Sequence, residues 1–201
     1  MLTRTHISTL LVLAVIVWGG ALMVLGLPIT WRYTAPFTLA VSVLTGACIV
    51  FERWIWRWRI FRGWLVKQPD IQGTWRVKIT PTSVDSVPID GVMVVRQSFS
   101  KVSARLFTKE SSSYLISQNW VPMDDGLYQL AAVYQNTPGV SLRGQRSEIH
   151  LGSFLLDIRG DPPESIDGHY WTDRGTRGDI ELKDKAIELA TKYSDARPPA
   201  N

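Results

Sequence analysis

The sequence predicts a membrane-anchored all-β protein, an N-terminal two-helix transmembrane hairpin followed by a small antiparallel eight-stranded β-barrel. Three observations carry this: two apolar runs without a charged residue inside the first 51 positions, an apolar–polar alternation that begins near residue 75, and about eight short strand-like runs separated by turn residues.

The first apolar run, Ile7 to Leu27, is 21 residues without a charged side chain. As a helix it reaches about 31 Å, against roughly 30 Å of hydrocarbon core. After Pro28–Tyr33 a second run of 18 uncharged residues, Thr34 to Phe51, carries Pro36 in its first turn, where a missing N–H costs little. A buried soluble hairpin would show a polar face on each helix. A cleaved signal peptide would show a shorter apolar region and a small-residue cleavage site, which Val24-Leu25-Gly26-Leu27-Pro28 does not clearly offer. Both runs are therefore expected to span. The loop between them holds only Arg32, whereas Arg53, Arg57, Arg59, Arg62 and Lys67 follow the second run. The positive-inside rule then places both termini and the barrel in the cytoplasm.

The net charge of +4 is unevenly distributed: residues 1–67 hold 7 Lys or Arg and 1 acid, net +6, whereas 68–201 hold 15 and 17, net −2. A slightly acidic domain lacks the clustered cations of a duplex-binding surface, so neither DNA nor RNA duplex is an expected partner. The single cysteine, Cys48, lies in the second apolar run and permits no intrachain disulfide. Between the runs and the barrel, Glu52–Trp64 holds four of the nine tryptophans, with arginines scattered around the helical wheel. Without a clean polar face it is expected to leave the bilayer as a steep helix, indoles at headgroup depth and arginines snorkelling.

Past Pro69-Asp70 the alternation of Trp75, Val77 and Ile79 with Arg76, Lys78 and Thr80 marks a half-buried strand. Further runs lie at 92–99, 102–108, 114–121, 127–134, 146–158, 168–173 and 178–183, divided by breakers such as Asp90-Gly91, Pro122–Gly126, Pro138-Gly139, Gly160–Pro163 and Arg174-Gly175. No connection is long enough for a crossover helix, so the sheet is antiparallel, and closure into a barrel removes its edges, a two-sheet sandwich being the alternative. The domains expected are 1–67 (helices and collar), 68–185 (barrel) and 186–201 (a short helix or disordered tail), with Asp184–Tyr193 the helical candidate before Pro198-Pro199. Gly73-Thr74-Trp75 is similar to the G-x-W start of lipocalin- or streptavidin-like barrels, with Trp75 expected as a core plug.

Catalytic constellations are scarce. His6, His150 and His169 have no metal-ligand spacing, Ser111-Ser112-Ser113 lacks a nucleophile-elbow context, and Asp124, Asp125 and Asp161 sit in turns. The expectation is a non-enzyme with no catalytic residues, no metal site and no cofactor.

Two motifs remain, Pro69-Asp70-Ile71-Gln72-Gly73-Thr74-Trp75 and the segment Gly168–Gly178, which fits G-x-Y-x-T-x-R-x-T-x-G at Gly168, Tyr170, Thr172, Arg174, Thr176 and Gly178. With the two apolar runs and the collar, they resemble the two-transmembrane β-barrel effectors of bacterial cyclic-oligonucleotide anti-phage signalling, CBASS. The resemblance implies a cytoplasmic barrel at the bacterial inner membrane that binds a cyclic dinucleotide made by a partner CD-NTase. Binding would drive assembly into homo-oligomers, and the clustered helices would act on the lipid bilayer to disrupt it, causing abortive infection.

Arginine, hydroxyl and aromatic groups suit the phosphates and bases of such a ligand. The expected contacts are Arg96, Arg105, Tyr134, Tyr170, Thr172 and Arg174. Arg76 and Lys78 point away if Trp75 points inward. Two other classes stay open: a membrane-tethered carrier of a lipid or apolar small molecule, whose interior should be uniformly apolar, and a membrane adaptor with no cavity.

Overall fold

A computed structural model describes residues 4–28, 30–83, 87–124, 126–140 and 148–193, with the side chains of 4–7, 9, 10, 13 and 31–40 excepted. The expected Pro198-Pro199 tail, the strand start at Arg146 and Ser147, and Asp125 lie outside the described residues. The chain forms two compact units, one of residues 1–66 with 98–100, the other of 67–97 with 101–201.

The first unit contains helices α1 (Arg4–Val24) and α2 (Trp31–Arg53). Among the described residues no helix is long and apolar enough to cross a membrane. This corrects the expected transmembrane hairpin and, with it, the multi-pass inner-membrane location.

The collar is also not the expected steep helix. α2 stops at Arg53, and two three-residue 3₁₀ turns follow, Ile55–Arg57 and Arg59–Phe61, with Trp58 and Arg62 in extended backbone. The ring of Phe61 meets Phe51 edge-on at 5.5 Å, so the chain folds back on the end of α2 instead of prolonging it. In the same unit Phe99 packs on Phe51 at 5.3 Å. Glu52, the one acid of residues 1–67, accepts hydrogen bonds at Oε1 from Ser98 Oγ (2.6 Å), Ser100 N (3.0 Å) and Ser100 Oγ (2.5 Å).

The second unit is a closed antiparallel barrel of eight strands: β1 (Gly73–Pro81), β2 (Ile89–Gln97), β3 (Val102–Thr108), β4 (Ser111–Pro122), β5 (Tyr128–Pro138), β6 (His150–Ile158), β7 (Ile166–Thr172) and β8 (Arg177–Ala186). Each strand pairs with the next, and β8 closes on β1. No two successive strands are separated by more than 11 residues, short of the dozen or more that a parallel crossover needs, so successive strands pair antiparallel. The segment 184–193, expected as a short helix, begins as the last three residues of β8 and continues in bends.

Alternate residues fill the interior: Trp75 and Val77 from β1, Met93 and Val95 from β2, Leu130 and Ala132 from β5, Phe154, Leu156 and Ile158 from β6, Ile180 and Leu182 from β8. Pro69–Trp75, singled out as a motif, closes one end. Trp75 is fully buried and its Nε1–H donates to the Ile71 carbonyl at 2.9 Å. The buried Gln97 amide accepts from Ile71 N (2.9 Å) and donates to Pro69 O (3.0 Å), and the Asp161 carboxylate accepts from Asp70 N (3.0 Å). Gly73 sits at φ +146°, and a Cβ there would come within 2.6 Å of the Ala186 carbonyl, so the tight start of β1 admits only glycine.

Candidate functional site

With the β2–β3, β4–β5 and β6–β7 turns gathered at the plugged end, the opposite end opens into a cavity of about 590 Å³. That size falls in the roughly 300–1,000 Å³ range of small-molecule sites. Register sets its lining. Tyr134 on β5 lies opposite Gly152 on β6, and Gly152 lies opposite Thr172 on β7, so Tyr134 and Thr172 share a level. One step deeper, Phe154 lies opposite Tyr170. A side chain at Gly152 would run into the tip of the Tyr134 ring; its absence lets that ring lie across β6, stacked on Phe154 at 6.0 Å and 26°.

Polar groups line the mouth half. The hydroxyls of Thr172 and Thr176 are 2.6 Å apart across the β7–β8 hairpin. Ser113 and Asn136, opposite one another on β4 and β5, are both buried, and Ser113 Oγ donates to Asn136 Oδ1 at 2.9 Å. Lys109, Glu110, Asp90 and His150 complete the rim. Burial pushes the Tyr134 phenol up to about 12, with the charges of Tyr170 and Asp173 adding to it. Tyr170 is likewise raised, first by burial and then by Asp179. Both therefore remain hydrogen-bond donors throughout the physiological range.

Because the folded-state value of Tyr134 lies above the ordinary 10.0, the folded protein keeps a proton that the unfolded chain has lost between pH 10 and about 12. Its contribution to stability is complete below pH 10 and is lost as pH rises through that window. In an alkaline titration followed by phenolate absorbance, Tyr134→Phe is expected to remove the component nearest 12. Loss of a component near 10 instead would contradict the burial described.

Of the six expected contacts, the structure brings Tyr134, Tyr170 and Thr172 together in the cavity lining. The three arginines lie apart from them and do not line it. Arg96 is exposed next to the buried Gln97 near the plugged end of β2. Arg105 is exposed on β3 with its guanidinium 5.9 Å from the Phe107 ring, and Arg174 is exposed in the β7–β8 turn. Strand parity explains the first two, since inward Val95 and Leu106 turn their neighbours outward. Ser113, Asn136, Thr176 and Lys109 were not among the expected contacts. The signal for Asn136 was present, because it stands two residues after Tyr134 and so on the same strand face. Among the described residues no group of His, Cys, Asp and Glu side chains is arranged to hold a metal ion.

Residues 66–184 match the family described as Cap15, cyclic dinucleotide receptor domain. The chain is also 27% identical over 159 residues, 77% of its own length and 81% of the relative's, to the CD-NTase-associated protein 15 of Staphylococcus schleiferi. The family match spans more than half of the sequence and falls on the barrel that holds the cavity. The chain therefore belongs to the Cap15 cyclic dinucleotide receptor domain family.

Proposed function

We propose that this protein is a non-enzymatic sensor in CBASS-type defence, in which a cyclic dinucleotide from a partner CD-NTase enters the barrel mouth and drives self-association of the chain. The observation that carries the reading is the open cavity of about 590 Å³, walled by Tyr134, Tyr170 and Phe154 and edged by hydroxyl and amide groups, inside the receptor-domain match. Aromatic faces stack on bases of any identity, and hydroxyl and amide groups serve their edges and the ribose. The name of the staphylococcal relative supports the CD-NTase as the source of the ligand. Exposed apolar side chains that do not line the cavity, Ile116, Leu151 and Trp171, support self-association. The buried Ser113–Asn136 pair counts against an apolar-ligand carrier, whose interior would be uniformly apolar.

A thermal-unfolding panel of cyclic di- and trinucleotides on the full chain tests the sensor. A ligand at a hundredfold its dissociation constant stabilises the folded state by about 2.7 kcal/mol, a shift of a few degrees or more. At least one cyclic dinucleotide is expected to do so, and a uniformly flat panel would contradict the reading. Sedimentation velocity with that ligand is expected to show a larger species; an unchanged sedimentation coefficient at saturation would remove self-association from the account.

A further inference from the structure

Recognising a cyclic dinucleotide poses two separate problems, meeting the phosphates and reading the bases, and the cavity offers chemistry for each at a different depth. Its floor is apolar, lined by Met93, Phe154 and Ile180 above the buried core. A phosphodiester placed there without a cation would be strongly disfavoured by desolvation. Among the described lining residues the only Lys or Arg is Lys109, in the two-residue β3–β4 turn at the mouth. The phosphates therefore belong at the rim.

Within the wall the buried polar groups are Ser113 and Asn136. Ser113 Oγ–H occupies one lone pair of Asn136 Oδ1 and so fixes the orientation of the amide. The amide keeps a second lone pair and its NH₂ group, an acceptor and a donor side by side, which is the pattern that pairs with a base edge. The Tyr134 ring, two residues earlier on the same face of β5, supplies a stacking surface beside it.

We infer that Asn136, oriented by Ser113, determines base specificity: the bases enter the barrel, one is read at the Asn136 amide, and the phosphates stay at the mouth near Lys109. This rests on the cyclic-dinucleotide reading given above. It separates two kinds of substitution. Those at Asn136 change which ligand is preferred, and those at Lys109 change how tightly every ligand binds.

The test is calorimetric titration of the full chain with cyclic di-AMP, cyclic di-GMP and cyclic UMP–AMP at two salt concentrations. Asn136→Leu is expected to compress the spread between the tightest and weakest ligands by about 5- to 150-fold, the discrimination of one bidentate base contact. Asn136→Asp preserves side-chain shape and the Ser113 hydrogen bond but offers only acceptors, so it should reorder the three ligands. Lys109→Gln should weaken all three by a common factor and flatten their salt dependence. Unchanged affinity ratios in Asn136→Asp, or altered ratios in Lys109→Gln alone, would overturn the assignment. If neither these three nor any other cyclic dinucleotide of the thermal panel binds the unaltered chain under conditions in which it is folded, the cyclic-dinucleotide reading itself fails and the assignment falls with it.

Discussion

Trp75→Ala is expected to lower the stability of the barrel by about 3–5 kcal/mol, the range for removing a large buried aromatic. Trp75 is fully buried among Ile71, Val77 and their neighbours in the core, and its indole N–H supplies a hydrogen bond to the Ile71 carbonyl at 2.9 Å. Lys185 Nζ lies 5.5 Å from its ring centroid. Alanine therefore leaves a void and strips a partner from a buried carbonyl at once. Domains of this kind are stable by about 5–15 kcal/mol in total, so about a fifth of the margin or more is at stake. Trp75→Phe separates the two contributions, keeping most of the packing and losing chiefly the hydrogen bond, worth about 0.5–1.5 kcal/mol net. Urea unfolding followed by circular dichroism measures both. A loss below about 1 kcal/mol in Trp75→Ala would mean that the plug is not closing the barrel.

Tyr134→Ala is expected to cost about 1–3 kcal/mol of cyclic-dinucleotide affinity, roughly 5- to 150-fold, as the removal of one base–aromatic stack does. The ring is held in the cavity wall by Phe154 beneath it and by the missing side chain at Gly152. Gly152→Ala is a second perturbation of the same wall: it leaves Tyr134 in place chemically, but the added Cβ meets both the tip of its ring and, at 2.9 Å, the Trp171 carbonyl of β7, so it displaces the ring and presses on that strand. Tyr134→Phe should retain most of the affinity, since the stacking face survives. Calorimetric titration distinguishes these outcomes. If Tyr134→Ala and Gly152→Ala both bind as the unaltered chain does, the cavity wall is not the binding surface.

The barrel was legible in the sequence because its strands alternate. Trp75, Val77 and Ile79 announced an inner and an outer face, and the eight expected strand positions correspond to β1 through β8. Ends were less legible: Pro138 reads as a breaker, yet β5 runs to it, so Tyr134 lies inside a strand instead of before a turn. Proline is tolerated there because it is the last residue of the ladder.

The helical region was misread for a different reason. Hydropathy sums over a run and does not register where aromatic contacts such as Phe51–Phe61 fold the chain back. The candidate site was half legible. Val92–Val95 is continuously apolar and hides the parity of Arg96, so an arginine that looked embedded in a core strand lies exposed. Ser113 and Asn136 looked ordinary because the hydrogen bond joining them depends on β4–β5 register, which depends in turn on the irregularity between Leu115 and Ser117. A bulge of this kind leaves little trace in sequence.

Backbone amide NMR of the full-length chain, titrated with the cyclic dinucleotide that stabilises it most, tests the central claim most directly. The account predicts that perturbed resonances concentrate at the mouth half of the barrel, at Ser113, Tyr134, Asn136, Tyr170 and Thr172. Perturbations confined to the plugged end or to the outer face around Arg96 and Arg105, or none with any cyclic dinucleotide, would contradict it.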